Sequence, residues 1–448
     1  MHFPEAFQKR MQVTLQDGWA AFESTHQQSS LTSIRLNPKK LIASSQAKIP
    51  WAEFGYYLQQ RPSFTLDPTF HAGTYYVQEA SSMFLEQAVK QSIDLNQPLK
   101  VLDLCAAPGG KSTHLLSLIN NESLLVSNEV IRSRASILSE NIQKWGNSNV
   151  VVTNNDPEDF QKLSGFFDLI VVDAPCSGEG LFRKDPNAME EWSEDNVALC
   201  AQRQQRILAD VWPALKQDGI LIYCTCTYNA KENEENVSWL IQNSKFKIES
   251  LKLKIDSEWG IEEIERDGVF GYRFYPHKVK GEGFFISVIK KKEETHPVSI
   301  RTKSQVPLAP KKITERLNDW LLDKHEFVLL DDLVVALSAN YFTEINWLAH
   351  HLKIVTKGTA IATMKHEKMI PEHALALSIE LNAKNFTSID LNLPQALAFL
   401  RKEAIMVGEG QKGFALVTYQ GHPLGWVNLL GNRVNNLYPT NWRVRMGG

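Results

Sequence analysis

Five cysteines carry most of the chemical potential of this 448-residue sequence: Cys105, Cys176, Cys200, Cys224 and Cys226. No C-x-x-C pair occurs, and no histidine stands at zinc-ligand spacing from any of them, so no metal site is expected. An odd count in a long chain argues against a disulfide framework. The thiols are therefore either buried filler or chemistry. Cys176 lies in DAPCSGEG, just after the apolar run DLIVVD. Cys224 and Cys226 lie in YCTCTYNAKENE, where strand alternation puts both on one face and Thr225 on the other. Cys226 is nearer the carboxyl end, where ligands bind in α/β sheets. A thiolate there has a chemical use. Carbon 5 of cytosine is a poor nucleophile, but thiolate addition to carbon 6 makes it enamine-like and able to take a methyl from a sulfonium. Lys111 is the candidate charge for deprotonating the thiol. Asp173 is the candidate acid beside N3 of the base, and a second thiol or another base would remove the carbon-5 proton. The commoner fate of a cysteine is small buried hydrophobe. That reading is assigned to Cys105, Cys200 and Cys224.

LDLCAAPGGKST presents a second site. Small residues between a strand and a helix let backbone N–H groups approach a ligand, and a helix N-terminus favours an anion. GGKST resembles the end of a phosphate-binding loop, but that motif needs glycine where Cys105 stands. A G-x-G-x-x-G fingerprint is also absent. The remaining reading is an adenosine-ligand site with acidic residues at successive strand ends. Glu129 is placed for ribose hydroxyls, Asp156 for an adenine amino group and Asp173 for the crevice. Each alone also reads as a helix N-cap.

The elements that must position these residues run from Leu99 to Ile289. VLDLC, LLVSNE, VVVTNND, DLIVVDAPC and ILIYCTC are strand candidates separated by helical patterns. Near-continuous apolar runs predict a parallel sheet covered on both faces. The fold class is therefore α/β and doubly wound. Residues 1–95 form an N-terminal extension with a helical stretch from Phe3 to Thr25. The catalytic unit is 96–290, and the charged, proline-containing 291–312 reads as a linker. Residues 313–385 make an intermediate unit. Residues 386–448 make a small β-rich module with a helix near Pro394–Arg401 and β-like runs GFALVTYQ, PLGWVNLL and WRVRM.

Hydrophobic residues make up 43% and charged residues 22%, ordinary for a globular chain and too much for one core. No apolar run approaches membrane-spanning length and no signal-peptide pattern opens the sequence, so a cytoplasmic protein is expected. The net charge of −3 weighs against a nucleic-acid partner. The charge is uneven, however. Arg401, Lys402, Lys412, Arg433, Arg443 and Arg445 meet only Glu403 and Glu409 in the last stretch. Basic residues also cluster near the start, from Lys9 and Arg10 to Lys48 and Arg61. Basic ends around a neutral middle fit local RNA contacts, and equally fit solvated surface.

LDLCAAPGGKST, VVDAPCSGEG and CTCTYNAKENE together resemble the motifs of the Sun/Fmu family of RNA cytosine-5 methyltransferases. HAGTYYVQEASSM upstream and RFYPHKVKGEGFF downstream extend the match over about residues 30–290. The resemblance implies a Rossmann-like class I core that uses S-adenosyl-L-methionine. It implies Cys226 as nucleophile and Cys176 as the thiol assisting product release. It places Cys105, Ala106, Ala107, Pro108, Gly109, Gly110 and Lys111 in the cofactor loop. Glu129, Asp156 and Asp173 become acidic cofactor contacts, with Asp173 also beside the base. Arg134 matches a position often basic in the family. Asn229–Ala230 departs from the proline many members carry, which is expected to alter a loop and not the chemistry. GEGLFRKDP and the tail from LPQALAFLRKEAI onward resemble the bacterial RsmF-type members acting on 16S rRNA, which end in a PUA-like RNA-binding module. Tyr419, Trp426, Tyr438 and Trp442 are candidate RNA contacts there, and at least half are expected to be core instead. The expected partner is 16S rRNA in a 30S subunit or its precursor, with no DNA, no membrane and a monomeric protein. Three rivals remain. One is another RNA such as tRNA. A second is another methyl acceptor, a protein, a small molecule or DNA, whose cytosine enzymes use the P-C cysteine as nucleophile, here Cys176. The third is a non-catalytic ribosome assembly factor.

Overall fold

A computed structural model describes residues 2–42, 44–243, 247–300, 307–366, 368–406 and 412–446. The catalytic unit forms around five parallel strands: β1 (Lys100–Asp103), β2 (Leu124–Asn128), β3 (Val150–Thr153), β4 (Phe167–Asp173) and β5 (Leu215–Thr225). Their order across the sheet is 3-2-1-4-5. Alternation explains why these apolar runs serve a covered sheet. Val101, Leu125, Leu169 and Ile222 pack on one face, and Leu102, Val126, Ile170 and Leu221 on the other. Each is fully buried, worth about 1.5–3 kcal/mol per side chain relative to exposure.

Beyond β5 the sheet turns antiparallel through β8 (Phe284–Lys291), β7 (Val269–Phe274) and β6 (Glu262–Arg266). At the other edge β9 (Ile354–Lys357), from the intermediate segment, pairs antiparallel with β3. Past residue 312 the chain has its own four-stranded antiparallel sheet, between His325 and Pro371, and β9 alone among its described strands joins the catalytic sheet. Strand β9 covers the edge that β3 would otherwise leave open. The stretch read as a linker begins one residue inside β8 and ends in a helix starting at Lys311. Val298 and Ile300 pack against the catalytic core, and residues 301–306 lie outside the described residues.

Helix α3 (Gly110–Leu118) follows β1, and α4 (Arg132–Trp145) follows β2. Gly109, at φ 114°, turns the chain into α3 in a conformation that favours glycine. Gly146, at φ 98°, ends α4, and its N–H returns to Ile142 O. A Cβ there would stand 2.3 Å from Leu377 O. Helices α5 (Glu194–Val211) and α6 (Glu234–Asn243) flank β5 in sequence.

The N-terminal extension is α+β. The single expected helix is two, α1 (Glu5–Leu15) and α2 (Trp19–His26), separated by a 3-10 turn. A four-stranded antiparallel sheet follows, spanning Thr32 to Val77. Phe7 and Phe22 pack on Phe182, Tyr228 and Tyr275, which places the helices behind both cysteine loops.

In the C-terminal module the expected helix is Leu393–Leu400, opened by a capping box of Asn392 and Gln395. GFALVTYQ and PLGWVNLL form strands Lys412–Tyr419 and His422–Leu430. WRVRM is not a strand. Val444 is buried and its N–H bonds the helix-end carbonyl of Leu400, so the run serves as a cap. The edge strands are Val434–Asn436 and, on the other side, Thr387–Asp390. Trp426 and Tyr438 are core, whereas Tyr419 and Trp442 are half-buried.

Candidate active site

In a doubly wound sheet, ligands sit where the strand order reverses, outside the carboxyl ends. Here that point lies between β1 and β4. A cavity of about 450 Å³ opens there, a volume suited to a nucleoside-sized ligand. Cys105, Ala107, Glu129, Arg134, Asp156, Asp173, Cys176 and Cys226 all line it. An adjoining hollow of about 150 Å³ shares Cys105, Ala107 and Asp173 and is lined by Ala106, Pro108, Gly110 and Lys111. The structure thus gathers into one crevice residues that the sequence spreads over three motifs.

The acidic residues differ in their surroundings. Glu129 immediately follows β2 and is almost wholly buried. Its Oε1 accepts the Ile131 N–H at 2.9 Å, and Arg134 lies 3.3 Å from Oε2. Arg134 also donates to Ala107 O at 2.8 Å, joining this carboxylate to the loop between β1 and α3. Asp156 does not end β3, which stops at Thr153. Asn154 and Asn155 extend the turn, and Asp156 caps the following 3-10 helix through the Glu158 N–H. It still lines the cavity, 3.2 Å from Arg206. Val130, Ile131, Pro157 and Ile207 supply apolar walls between these carboxylates. Oxygen acceptors for hydroxyls flanking an apolar slot fit an adenosine moiety.

Lys111 opens α3 and its ammonium lies 2.7 Å from Asp173 Oδ2. Burial opposes that charge, but Asp173, Cys224 and Asp103 outweigh it, and the lysine is held above its ordinary range. The thiol that Lys111 influences is Cys224, which burial pushes well up. Cys224 is fully buried, 3.7 Å from Asp173 Oδ1. Strand β5 ends at Thr225, so Cys226 belongs to the loop beyond, where it is half-buried. Its Sγ lies 3.1 Å from Cys176 Sγ, and all five cysteines are free thiols. The Cys176 thiol is pushed up by its hydrogen bond with Cys226, by burial, and by the charges of Cys226 and Glu232.

Sequence reasoning missed several residues. Arg203 and Arg206 line the cavity from α5, and their i, i+3 spacing on an amphipathic helix was the available signal. Asp103 ends β1, fully buried beneath the loop, and burial pushes its carboxyl up to about 7. Ser112 donates to it at 2.6 Å. Among the described residues no group of His, Cys, Asp and Glu is arranged to hold a metal, and no helix is long and apolar enough to cross a membrane.

The 3-2-1-4-5 sheet, its antiparallel extension and the cavity at the reversal point define a Rossmann-like methyltransferase core. Residues 91–290 match the family model described as 16S rRNA methyltransferase RsmB/F. Residues 3–80 match the N-terminal domain of 16S rRNA methyltransferase RsmF, and residues 386–444 the methyltransferase RsmF PUA domain. The chain belongs to the RsmB/F family of 16S rRNA methyltransferases, on the RsmF side of it. Ribosomal RNA small subunit methyltransferase F of Shewanella loihica is 32% identical over 91% of this chain and 88% of its own length. The protein of the same name from Shigella boydii is 28% identical over 98% of this chain and 96% of its own. A methyltransferase homolog from Pyrococcus horikoshii shares the fold at a TM-score of 0.52 and 28% identity, over 61% of this chain and 90% of that one.

Proposed function

We propose that this chain transfers a methyl group from S-adenosyl-L-methionine to carbon 5 of a cytosine in 16S rRNA, through a covalent Cys226–cytosine adduct. The observation that carries the reading is the pair of free thiols, Cys226 and Cys176, 3.1 Å apart in a crevice that also holds Asp173. The cofactor's adenosine would lie between Glu129 and Asp156, with Arg134 fixing Glu129 and the loop from Cys105 to Lys111 beside the methionine portion. The substrate is 16S rRNA in a 30S subunit or its precursor, met by the N-terminal extension and the PUA domain. The protein acts in the cytoplasm as a monomer. The family and the names of its relatives support the methyltransferase activity on 16S rRNA within this reading.

The target base leaves its stack to reach the crevice. The Cys226 thiol loses its proton to solvent, its thiolate forms a bond to carbon 6, and the carbon 5–carbon 6 electron pair shifts toward carbon 5 and the ring. The Lys111–Asp173 pair lends N3 the proton that neutralises the ring. S-adenosyl-L-methionine, when bound, supplies an electrophilic methyl on a sulfonium, for which carbon 5 of the adduct is the nucleophile. Cys176 then acts as base. In the resting site the Cys176 thiol is pushed up, first by its hydrogen bond with Cys226 and then by burial. Once Cys226 is a thioether, that first cause is gone and Cys176 ionises more readily, losing its proton to solvent. Its thiolate takes the carbon-5 proton, the double bond re-forms, the carbon–sulfur bond breaks, and N3 returns its proton. The test is bisulfite sequencing of 16S rRNA after incubation with the cofactor and wild-type or Cys226→Ala protein. A cytosine protected only by wild type supports the reading. Protection by Cys226→Ala overturns it.

A further inference from the structure

We infer that Glu232 is a positioning residue whose single carboxylate ties the loops of both thiols together and sets Cys176 against Cys226. The inference rests on the reading above. Glu232 is fully buried, at 0% exposure. Its Oε2 accepts the backbone N–H of Ser177 at 2.8 Å and the side-chain amide of Gln204 at 3.1 Å. Its Oε1 accepts the Ser177 hydroxyl, whose oxygen also lies 3.1 Å from Thr227 Oγ1. Ser177 follows Cys176 and Thr227 follows Cys226. Gln204 donates as well to Pro175 O at 3.0 Å, so the residues on both sides of Cys176 are held.

An acceptor-only group suits this place, because three donors converge on it. Glutamine would turn an N–H₂ group toward the Ser177 hydroxyl or toward Gln204. Burying a carboxylate is costly, and filling the same volume with an apolar side chain would be cheaper for folding alone. What the carboxylate adds is a fixed relation between two loops whose thiols must alternate in one reaction. It also adds charge. Burial pushes the Glu232 carboxyl up to about 7. When ionised it opposes ionisation of Cys176. The other titratable groups facing it are Glu179, Cys200 and Tyr223.

The experiment uses the full chain with S-adenosyl-L-methionine and 16S rRNA, comparing wild type with E232Q, S177A and C176A. Four quantities are read: single-turnover methyl transfer, the fraction of protein bound covalently to RNA on a denaturing gel, cofactor affinity, and the pH dependence of product release. For E232Q we expect about tenfold or greater slowing of turnover, a raised covalent fraction because release suffers most, and unchanged cofactor affinity. The pH midpoint of product release should move down, since the charge opposing Cys176 is gone, a shift a merely structural role would not give. S177A should move the covalent fraction in the same direction by a smaller amount, and it decides the matter if E232Q fails to fold. Turnover and covalent fraction like wild type in the folded variants overturn the proposal. So does a turnover loss matched by lost cofactor affinity with no rise in adduct. C176A is the control for the underlying reading. If it traps no RNA, that reading fails and the role of Glu232 falls with it, whereas a trapping C176A beside a silent E232Q refutes Glu232 alone.

Discussion

Removing the charge of Asp173 tests the polar centre of the crevice. The Lys111 ammonium lies 2.7 Å from Asp173 Oδ2, with side chains 11% and 36% exposed. At that distance and an effective dielectric constant of about 20, the attraction is about 6 kcal/mol. Most of it is offset by the desolvation of the lysine. Asp173 is also more than a third exposed, which screens the pair further. A net loss of about 2 kcal/mol is expected for Asp173→Asn, because the lysine is left buried beside a neutral amide. Lys111→Met frees an exposed-side carboxylate to solvent and should cost less. The double variant should recover part of the loss, giving a coupling of about 1–2 kcal/mol in a double-mutant cycle. Urea unfolding of the four proteins measures it, provided the slopes agree. Additive single effects, within about 0.5 kcal/mol, would refute the claim that the two charges hold each other.

Acid stability is set partly by buried histidines. His373 is lowered to about 3 by burial, with Lys144, Lys40 and His71 adding to it. A depressed histidine leaves the native state binding fewer protons than the unfolded chain, so stability is present above about pH 6.5 and lost as pH falls toward 3. His373→Phe should flatten that decline, and thermal melts from pH 4 to 7.5 should show a smaller spread than wild type. An unchanged slope would remove His373 from the account. Arg203 and Arg206 are exposed on α5 and line the cavity mouth. Replacing both with alanine should weaken RNA binding and reduce the salt slope by about 1–2. Filter binding across a salt series measures this, and an unchanged slope would place the RNA path elsewhere.

The parallel core was legible because its apolar runs are buried on both faces, so composition and order sufficed to locate β1 through β5. The crevice residues were legible because motifs at strand ends converge once the strand order is known. What sequence periodicity did not show was long-range pairing. Strand β9 reaches β3 across about 200 residues of chain, and nothing local marks Ile354–Lys357 as belonging to the catalytic sheet. WRVRM carries a strand-like alternation, yet a helix-end carbonyl took the N–H of Val444 instead. Trp426 and Trp442 look alike in sequence, but Trp426 sits 1% exposed between the sheet and Phe386, whereas Trp442 stays half-buried near Lys144. The surroundings of Lys111 were not legible either, since its spacing from Cys226 in sequence says nothing of the Asp173 carboxylate that pairs with its ammonium and also meets Cys224.

The central claim is that Cys226 bonds the base and Cys176 releases it. The most direct measurement is the mass of full-length Cys176→Ala protein after reaction with 16S rRNA and S-adenosyl-L-methionine, digested with nuclease under denaturing conditions. The account predicts a protein carrying a methylated cytidine nucleotide on Cys226, absent when Cys226 is also replaced by alanine. An adduct that persists in the double variant, or trapping by Cys226→Ala in place of Cys176→Ala, would contradict it.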